Sequence, residues 1–84
     1  MEAAMTKETN NFIGQCIRLA SDMLSLSTKQ VWIDYDKEAD VLYMSFRKPQ
    51  RATETIELDE DMLLRKDGEN IVGLTILNAS IRRE

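Results

Sequence analysis

The first third of the chain carries a helical pattern of apolar and polar positions. Apolar residues recur at intervals of three and four between positions 12 and 26, and polar residues fill the opposite side. This period predicts an amphipathic α-helix, which we place at residues 6–27 and whose apolar stripe spans about four turns. Thr6 is a candidate N-cap residue, because a threonine hydroxyl can accept a backbone N–H of the first turn, and Thr9 and Asn10 are alternative caps. Residues 1–5 precede the cap and are expected to fray.

The pattern changes at residue 31. Residues 31–35 and 41–46 are rich in β-branched and aromatic side chains, and a charged break at 36–40 separates them. This arrangement predicts a β-hairpin. Symmetric closure of the loop would pair Tyr35 with Val41 and Ile33 with Tyr43. Both faces of the hairpin would then carry apolar side chains, with Tyr43 in the core.

Three further strands are predicted at residues 53–58, 62–66 and 71–79. An acidic break at 59–61 separates the first two, and the pair Asp67-Gly68 favours a tight hairpin before the third. Gly73 interrupts the last strand, which predicts a bulge or a close approach by another backbone or ring. Residues 81–84 form a polar tail. The fold class is therefore α+β: one domain, residues 1–84, in which one N-terminal amphipathic helix packs on a five-strand antiparallel β-meander with its sheet core at 31–80.

One helix can cover only one face of such a sheet, so the other apolar face needs a cover. A second copy of the chain is the simplest way to cover that face. The sequence therefore predicts a homodimer or small oligomer that acts as a protein-interaction module. The alternative is a sheet that curls into a partial barrel. The candidate interface residues are Trp32, Met44 and Phe46 in the hairpin, and Phe12 and Ile13 in the helix.

Charge and composition narrow the list of partners. The net charge of the 84 residues is −4, and the excess lies in residues 31–84, which disfavours binding to a nucleic-acid backbone. We find neither a secretory signal nor a run of about 20 apolar residues, so a soluble cytoplasmic protein with no membrane partner is expected. Cys16 is the single cysteine and lies on the apolar side of the helix, where burial is expected.

The sequence offers little catalytic chemistry. It has no histidine to serve as a base for Cys16, no glycine-rich phosphate loop and no Ser-His-Asp set. Catalysis is therefore disfavoured, and no cofactor is implied.

The hairpin loop carries alternating carboxylates, which is the pattern that binds hard cations. Asp34, Asp36 and Asp40 are the candidate metal ligands, and they define a second hypothesis, a carboxylate-based metal-binding protein or hydrolase. Against this, Ala39 stands where a calcium loop needs glycine, and a polar hairpin tip with carboxylates accepting backbone hydrogen bonds explains the same residues.

Two long motifs carry a family resemblance. They are the segment YDKEADVLYMSF at residues 35–46 and, after Asp67-Gly68, the segment IVGLTILNAS at residues 71–80. In these motifs the chain resembles a family of small prokaryotic proteins defined only as a domain of unknown function, numbered twenty-two eighty-three. The resemblance implies a small, mostly β domain and no established activity. Because some similar proteins stand beside small toxin-like proteins, it also implies a third hypothesis, an antitoxin-like partner of another small protein whose helix docks into the partner's groove.

Overall fold

A computed structural model describes residues 6–81, and it has the predicted α+β composition. Helix α1 is followed by five strands and a short 3₁₀ turn. The bounds are α1 Lys7–Ser25, β1 Trp32–Asp36, β2 Val41–Ser45, β3 Glu54–Asp59, β4 Met62–Asp67, β5 Asn70–Leu77 and the turn Ala79–Ile81. The frayed end expected at residues 1–5, and the tail beyond residue 81, lie outside the described residues.

Helix α1 begins at the predicted cap. The side chain of Thr6 accepts a hydrogen bond from the backbone N–H of Thr9 at 3.0 Å, which confirms Thr6 as the N-cap residue. The helix ends at Ser25, two residues before the predicted end. There the Lys29 ammonium donates to the carbonyls of Leu24 and Leu26 at 3.0 and 2.6 Å, so that these carbonyls at the helix C-terminus are satisfied without a further turn.

The strand order is β1-β2-β5-β4-β3, with every pair antiparallel. The expected meander is therefore not strictly sequential, because β5 lies between β2 and β4. β5 is the longest strand and is mostly apolar, whereas β3 carries Glu54, Glu57 and Asp59. A central strand has a neighbouring strand on each side, so its side chains are covered more than those of an edge strand. Charged residues are tolerated better at an edge, where they also oppose pairing with other chains. This difference explains why β3 is at the edge.

The register of the first hairpin differs by one residue from the prediction. Tyr35 pairs with Leu42 and Ile33 pairs with Met44, so the predicted pairs of Tyr35 with Val41 and of Ile33 with Tyr43 are wrong. The cause is local: the Asp36 side chain accepts the N–H groups of residues 38 and 39, which closes the turn directly after Asp36. A shift of one residue moves every side chain of β1 to the other face relative to β2.

This register gives the sheet two unequal faces. Paired residues share a face, so one face, here called the apolar face, is continuous across all five strands. Its apolar and aromatic members are Ile33, Tyr35, Leu42, Met44, Ile56, Met62, Leu64, Leu74 and Ile76, and the charged residues Glu54, Asp59 and Lys66 lie on it along β3 and β4. The opposite face, here called the mixed face, combines apolar with polar side chains. Its members include Trp32, Asp34, Tyr43, Ser45, Thr55, Leu63, Arg65, Gly73 and Thr75. Apolar side chains therefore lie on both faces, but on the mixed face they are interspersed with polar ones.

Helix α1 meets the apolar face at one corner only. Leu19, Met23 and Leu26 line a cavity of about 190 Å³ together with Ile33 and Met44. Within Lys7–Ser25 no residue is buried, and residues 6–81 contain only two buried apolar side chains, those of Val41 and Val72. The molecule measures 49 × 26 × 22 Å, which is elongated for a chain of this length. Between residues 6 and 81 no helix is long and apolar enough to cross a bilayer.

Candidate functional site

The apolar stripe of α1 is largely exposed to solvent. Successive residues of a helix are rotated by about 100°, so this stripe has two edges. Leu19, Met23 and Leu26 form the edge that faces the sheet. The other edge, on which Ile17 and Leu24 lie, has exposed fractions of 63% and 74%. The edge that faces the sheet is itself only partly covered, since Leu19 is 58% exposed, and the other edge is left to solvent.

The five predicted interface residues fall in two separate places. Phe12 and Ile13 lie on α1, where they are 64% and 39% exposed. Trp32 lies on the mixed face at the edge strand β1 and is 37% exposed. Met44 lines the cavity under α1 and Phe46, which donates its N–H to the carbonyl of residue 72, is half-buried. In one subunit they do not form a single patch.

Two residues expected in the interior are exposed. Tyr43, predicted to be core, lies on the mixed face and is 44% exposed. Cys16, predicted to be buried, is a free and exposed thiol on α1. The two corrections have separate causes. Tyr43 pairs with Asp34 and Thr75 on the mixed face, opposite the face that α1 contacts, and Cys16 is exposed because α1 touches only a corner of the apolar face.

The carboxylates of the first hairpin are occupied by backbone and side-chain donors. Asp36 Oδ1 accepts the N–H groups of Glu38 and Ala39, both at 3.1 Å. Asp40, with a positive φ of 57°, accepts the Tyr35 hydroxyl at 2.6 Å. These bonds give both aspartates a role in closing the hairpin turn.

Asp40 also connects the first hairpin to the end of β5. Its two carboxylate oxygens accept the backbone N–H and the hydroxyl of Ser80 at 3.0 and 2.8 Å, and its carbonyl accepts the N–H of Ala79 at 3.0 Å. The hydrogen bond from Tyr35, followed by those from Ser80, holds the pKa of the Asp40 carboxyl below its ordinary value. The same hydrogen bond, with the charge of Asp40, raises the pKa of the Tyr35 hydroxyl.

The geometry gives the metal hypothesis no support. Asp34 and Asp36 share the mixed face, whereas the Asp40 carboxylate is bonded to Tyr35 and Ser80. Throughout residues 6–81, no group of three or more Asp, Glu, His or Cys side chains is placed to hold a metal ion. A cation at this hairpin stays a sequence-based hypothesis.

The second acidic group, at residues 57–61, also has structural contacts. Asp59 Oδ1 accepts the N–H of Asp61 at 2.8 Å, which closes the β3–β4 turn. Asp61 in turn accepts the side-chain amide of Asn78 at 2.9 Å. Asn78 and Ser80 therefore secure the end of the last strand through the carboxylates of Asp61 and Asp40, which lie in the two opposite turns.

A polar network that the sequence patterns did not reveal joins the β2–β3 connection to the sheet. Arg47 donates to the carbonyl of Gln50 at 2.7 Å and forms an ion pair with Asp67 at 3.0 Å. The Gln50 amide then reaches over the mixed face, where it donates to Ser45 at 2.8 Å and accepts from Arg65 at 3.0 Å. Contacts between residues fifteen to twenty positions apart leave no periodic signal in a sequence, so only the fold brings these groups together.

Gln50 explains the glycine in β5. A Cβ on Gly73 would lie 2.8 Å from the Cδ atom of Gln50, closer than real Cβ contacts. The expected close approach at Gly73 is confirmed, and the approaching group is a side-chain amide. Tyr43, Leu63 and Thr75 flank this network and complete a shallow groove of about 420 Å³ on the mixed face.

Comparison with known proteins gives one match. The family described as "Protein of unknown function (DUF2283)" matches residues 32–80, from the start of β1 to the hydrogen-bonded Ser80. No curated protein and no solved structure matches the chain. The matched segment contains all five strands and excludes α1. Because it covers more than half of the 84 residues, the chain belongs to the DUF2283 family of proteins of unknown function.

Proposed function

We propose that this protein is a protein-interaction module without catalytic activity, and that it works as a homo-oligomer built on a two-fold dimer. The carrying observation is that, among residues 6–81 of a single copy, only Val41 and Val72 are buried apolar residues. Ordering a chain costs about 1–2 kcal/mol of backbone entropy per residue, and apolar burial is the main contribution that offsets this cost. A second copy would supply the burial that one subunit lacks.

The exposed area agrees with a dimer of ordinary size. The accessible surface is 6912 Å², whereas a compact monomer of the same 9.7 kDa mass is expected to expose about 5,100 Å². The excess of about 1,800 Å² falls within the roughly 1,000–2,500 Å² that each subunit of an obligate homodimer buries. The radius of gyration, 15.8 Å, likewise exceeds the value of about 12 Å expected for 84 residues.

Two surfaces are available to pair. One is the part of the apolar face that α1 leaves uncovered, and the other is the far edge of the α1 stripe. In a two-fold dimer each surface meets the same surface, or the other one, of the second copy. This arrangement would bring Ile13, on the far edge of the α1 stripe, into the interface. The absence of catalysis is supported by the use of Asp36, Asp40 and Arg47 in closing turns.

The free thiol of Cys16 supports a location in the reducing cytoplasm. An exposed thiol there stays reduced without a disulfide partner.

Light scattering on the full chain, from submicromolar to tens of micromolar concentration, tests the proposal. We expect a mass of twice 9.7 kDa at the upper end of this range. The variant Ile13→Asp should raise the dimer dissociation constant at least tenfold, because it places a charge on the apolar far edge of the α1 stripe. Asn11→Asp adds the same charge on the polar side of α1 and should leave the mass unchanged. A strict monomer at tens of micromolar would overturn the proposal.

A small partner protein is the second candidate, and the exposure of α1 favours it. An amphipathic helix with no buried residue within Lys7–Ser25 has the form of a ligand for another protein's groove, as an antitoxin-like role requires. The light-scattering experiment separates the two. A chain that is monomeric alone and forms a complex of fixed stoichiometry with a different small protein supports the second candidate. A chain that is a homodimer alone supports the first.

A further inference from the structure

The far edge of the α1 stripe has the spacing of a helix-pairing seam. Ile13, Ile17, Ala20 and Leu24 follow one another at intervals of four, three and four residues, which is the spacing of a and d positions in a heptad. All four are exposed, and we call them the α1 seam. At about 100° per residue, the seam is rotated by roughly 120° from Leu19, Met23 and Leu26, which face the subunit's own sheet.

We propose that the α1 seam packs against the α1 seam of a second copy, with the two helices antiparallel about a two-fold axis. This inference rests on the proposed homodimer and names the surface that forms it. The spacing of four, three and four reads the same in both directions, so an antiparallel pair keeps the seam in register along its whole length. Ile13 then faces Leu24 of the partner subunit, and Ile17 faces Ala20 of the partner subunit.

Side-chain volumes favour the antiparallel orientation. A large residue opposite a small one fills the space between two helices, and Ile17 opposite Ala20 has this property at the centre of the seam. A parallel pair would place Ala20 against Ala20 and leave a gap there. Antiparallel helix dipoles also attract each other, whereas parallel dipoles repel.

The charges of α1 favour a second copy as the occupant. Glu8, Arg18 and Asp22 project, by the helical period, from the side of α1 away from the seam, whereas Lys7 lies on the seam's flank but seven residues before Gly14, beyond the first seam residue. The seam itself is flanked by Gly14 and Ser21 on one side, both small and uncharged. Burying the seam therefore desolvates no charged side chain, and the seam carries no charge that would select an oppositely charged partner. An identical uncharged seam on a second copy is complementary to it.

Engineered disulfides test the pairing. In an antiparallel pair, Gly14 of one helix lies beside Ser21 of the other, because each follows a seam residue by one position. A Cβ at Gly14 meets no atom within 4 Å, so a side chain fits there. We expect the triple variant G14C/C16S/S21C to form a covalent dimer on mild oxidation. Within one helix these positions are about 10 Å apart, beyond the roughly 7 Å that a disulfide spans, so every bridge is between subunits.

Two controls make the result specific. The variant Q15C/C16S/D22C has the same seven-residue spacing on the other side of α1, and it should stay uncross-linked. S21C with native Cys16 reports the parallel orientation, in which residues five apart on facing helices approach each other. Cross-linking of S21C but not of G14C/C16S/S21C would overturn the antiparallel arrangement.

A dimeric wild type in which neither arrangement cross-links would overturn the seam and leave the proposed function standing, whereas a monomeric wild type would overturn the proposed function itself. Should the cysteine variants fail to fold, light scattering on Ile17→Glu replaces them. We expect that variant to be monomeric where Gln15→Glu stays dimeric, and a dimeric Ile17→Glu would overturn the proposal.

Discussion

Gly73 offers a sharp test of how the mixed face is built, because the side chain that excludes a Cβ there can itself be removed. Gln50 lies over Gly73, with its Cδ atom 2.8 Å from where a Cβ would be. The substitution Gly73→Ala therefore forces the flexible Gln50 amide to move away. The overlap itself is relieved easily, and the cost comes from the hydrogen bonds that the amide loses.

The magnitude follows from those bonds. Displacing Gln50 breaks its hydrogen bonds to Ser45 at 2.8 Å and from Arg65 at 3.0 Å. Each contributes about 0.5–1.5 kcal/mol, so the loss is about 1–2 kcal/mol or slightly more. Alanine in place of a strand glycine returns about 0.5–1 kcal/mol, because it restricts the unfolded chain. The net expectation for Gly73→Ala is a destabilisation on the order of 1 kcal/mol.

The background Gln50→Ala reverses the sign. With the amide gone, Gly73→Ala meets no obstacle and loses no bond, so it should stabilise the protein by about 0.5 kcal/mol. The coupling between Gly73 and Gln50 in a double-mutant cycle is therefore expected to be about 1–2 kcal/mol. Gly14→Ala is the matched control, because a Cβ at Gly14 meets nothing within 4 Å. It should stabilise by about 1 kcal/mol in both backgrounds.

Urea denaturation followed by the fluorescence of Trp32 measures all these free energies of unfolding. The protein concentration must be the same for every variant, because the stability of a dimer depends on it. If the effects of Gly73→Ala and Gln50→Ala add to within about 0.3 kcal/mol, Gln50 does not occupy the space above Gly73, and our account of the mixed face is wrong.

Three further predictions concern the hairpin and the helix. The Asp40 carboxyl has a lowered pKa in the folded protein, so its contribution to stability is complete above the unfolded pKa of 3.8 and is lost as the pH falls through the folded pKa. The Tyr35 hydroxyl has a raised pKa, so its contribution to stability is complete below the unfolded pKa of 10.0 and is lost as the pH rises through the folded pKa. Tyr35→Phe should flatten both limbs of the curve of Tm against pH, and unchanged limbs would show that the 2.6 Å bond does not form. Calorimetric titration with Ca²⁺, Mg²⁺ and Mn²⁺ should give no saturable heat, because Asp36 and Asp40 already accept hydrogen bonds from the protein, and saturable binding lost in Asp34→Asn would contradict this. Thr6→Ala should destabilise α1 by about 1 kcal/mol, seen as a lower Tm in circular dichroism, whereas an unchanged Tm would mean that the cap contributes nothing.

Local patterns were good guides to the elements. The helix, its cap at Thr6 and all five strands follow from features that lie within a few residues of each other, such as periodicity, β-branched runs and the pair Asp67-Gly68. The same short-range reasoning failed at the first hairpin. The hydrogen bonds of the Asp36 side chain give the loop four residues, 37–40, where five were predicted. The alternation of side chains in the flanking strands is the same for either loop length, so it does not predict which one forms.

The candidate surfaces were only partly predictable, for the same physical reason. The apolar stripe of α1 is visible in the sequence, yet the sequence does not say which edge of it contacts the sheet. The polar network of Arg47, Gln50 and Arg65 was not foreseen, because its members are joined across strands.

By itself, the sequence of this DUF2283 protein determined which segments are helix and strand, since those preferences come from bonds and side chains close together along the chain. The tertiary structure alone decided the strand order, the face on which each side chain lies and how little of the apolar surface one copy buries. Those properties depend on contacts between residues far apart in the chain, where the free energy of burial must outweigh the entropy of closing long loops.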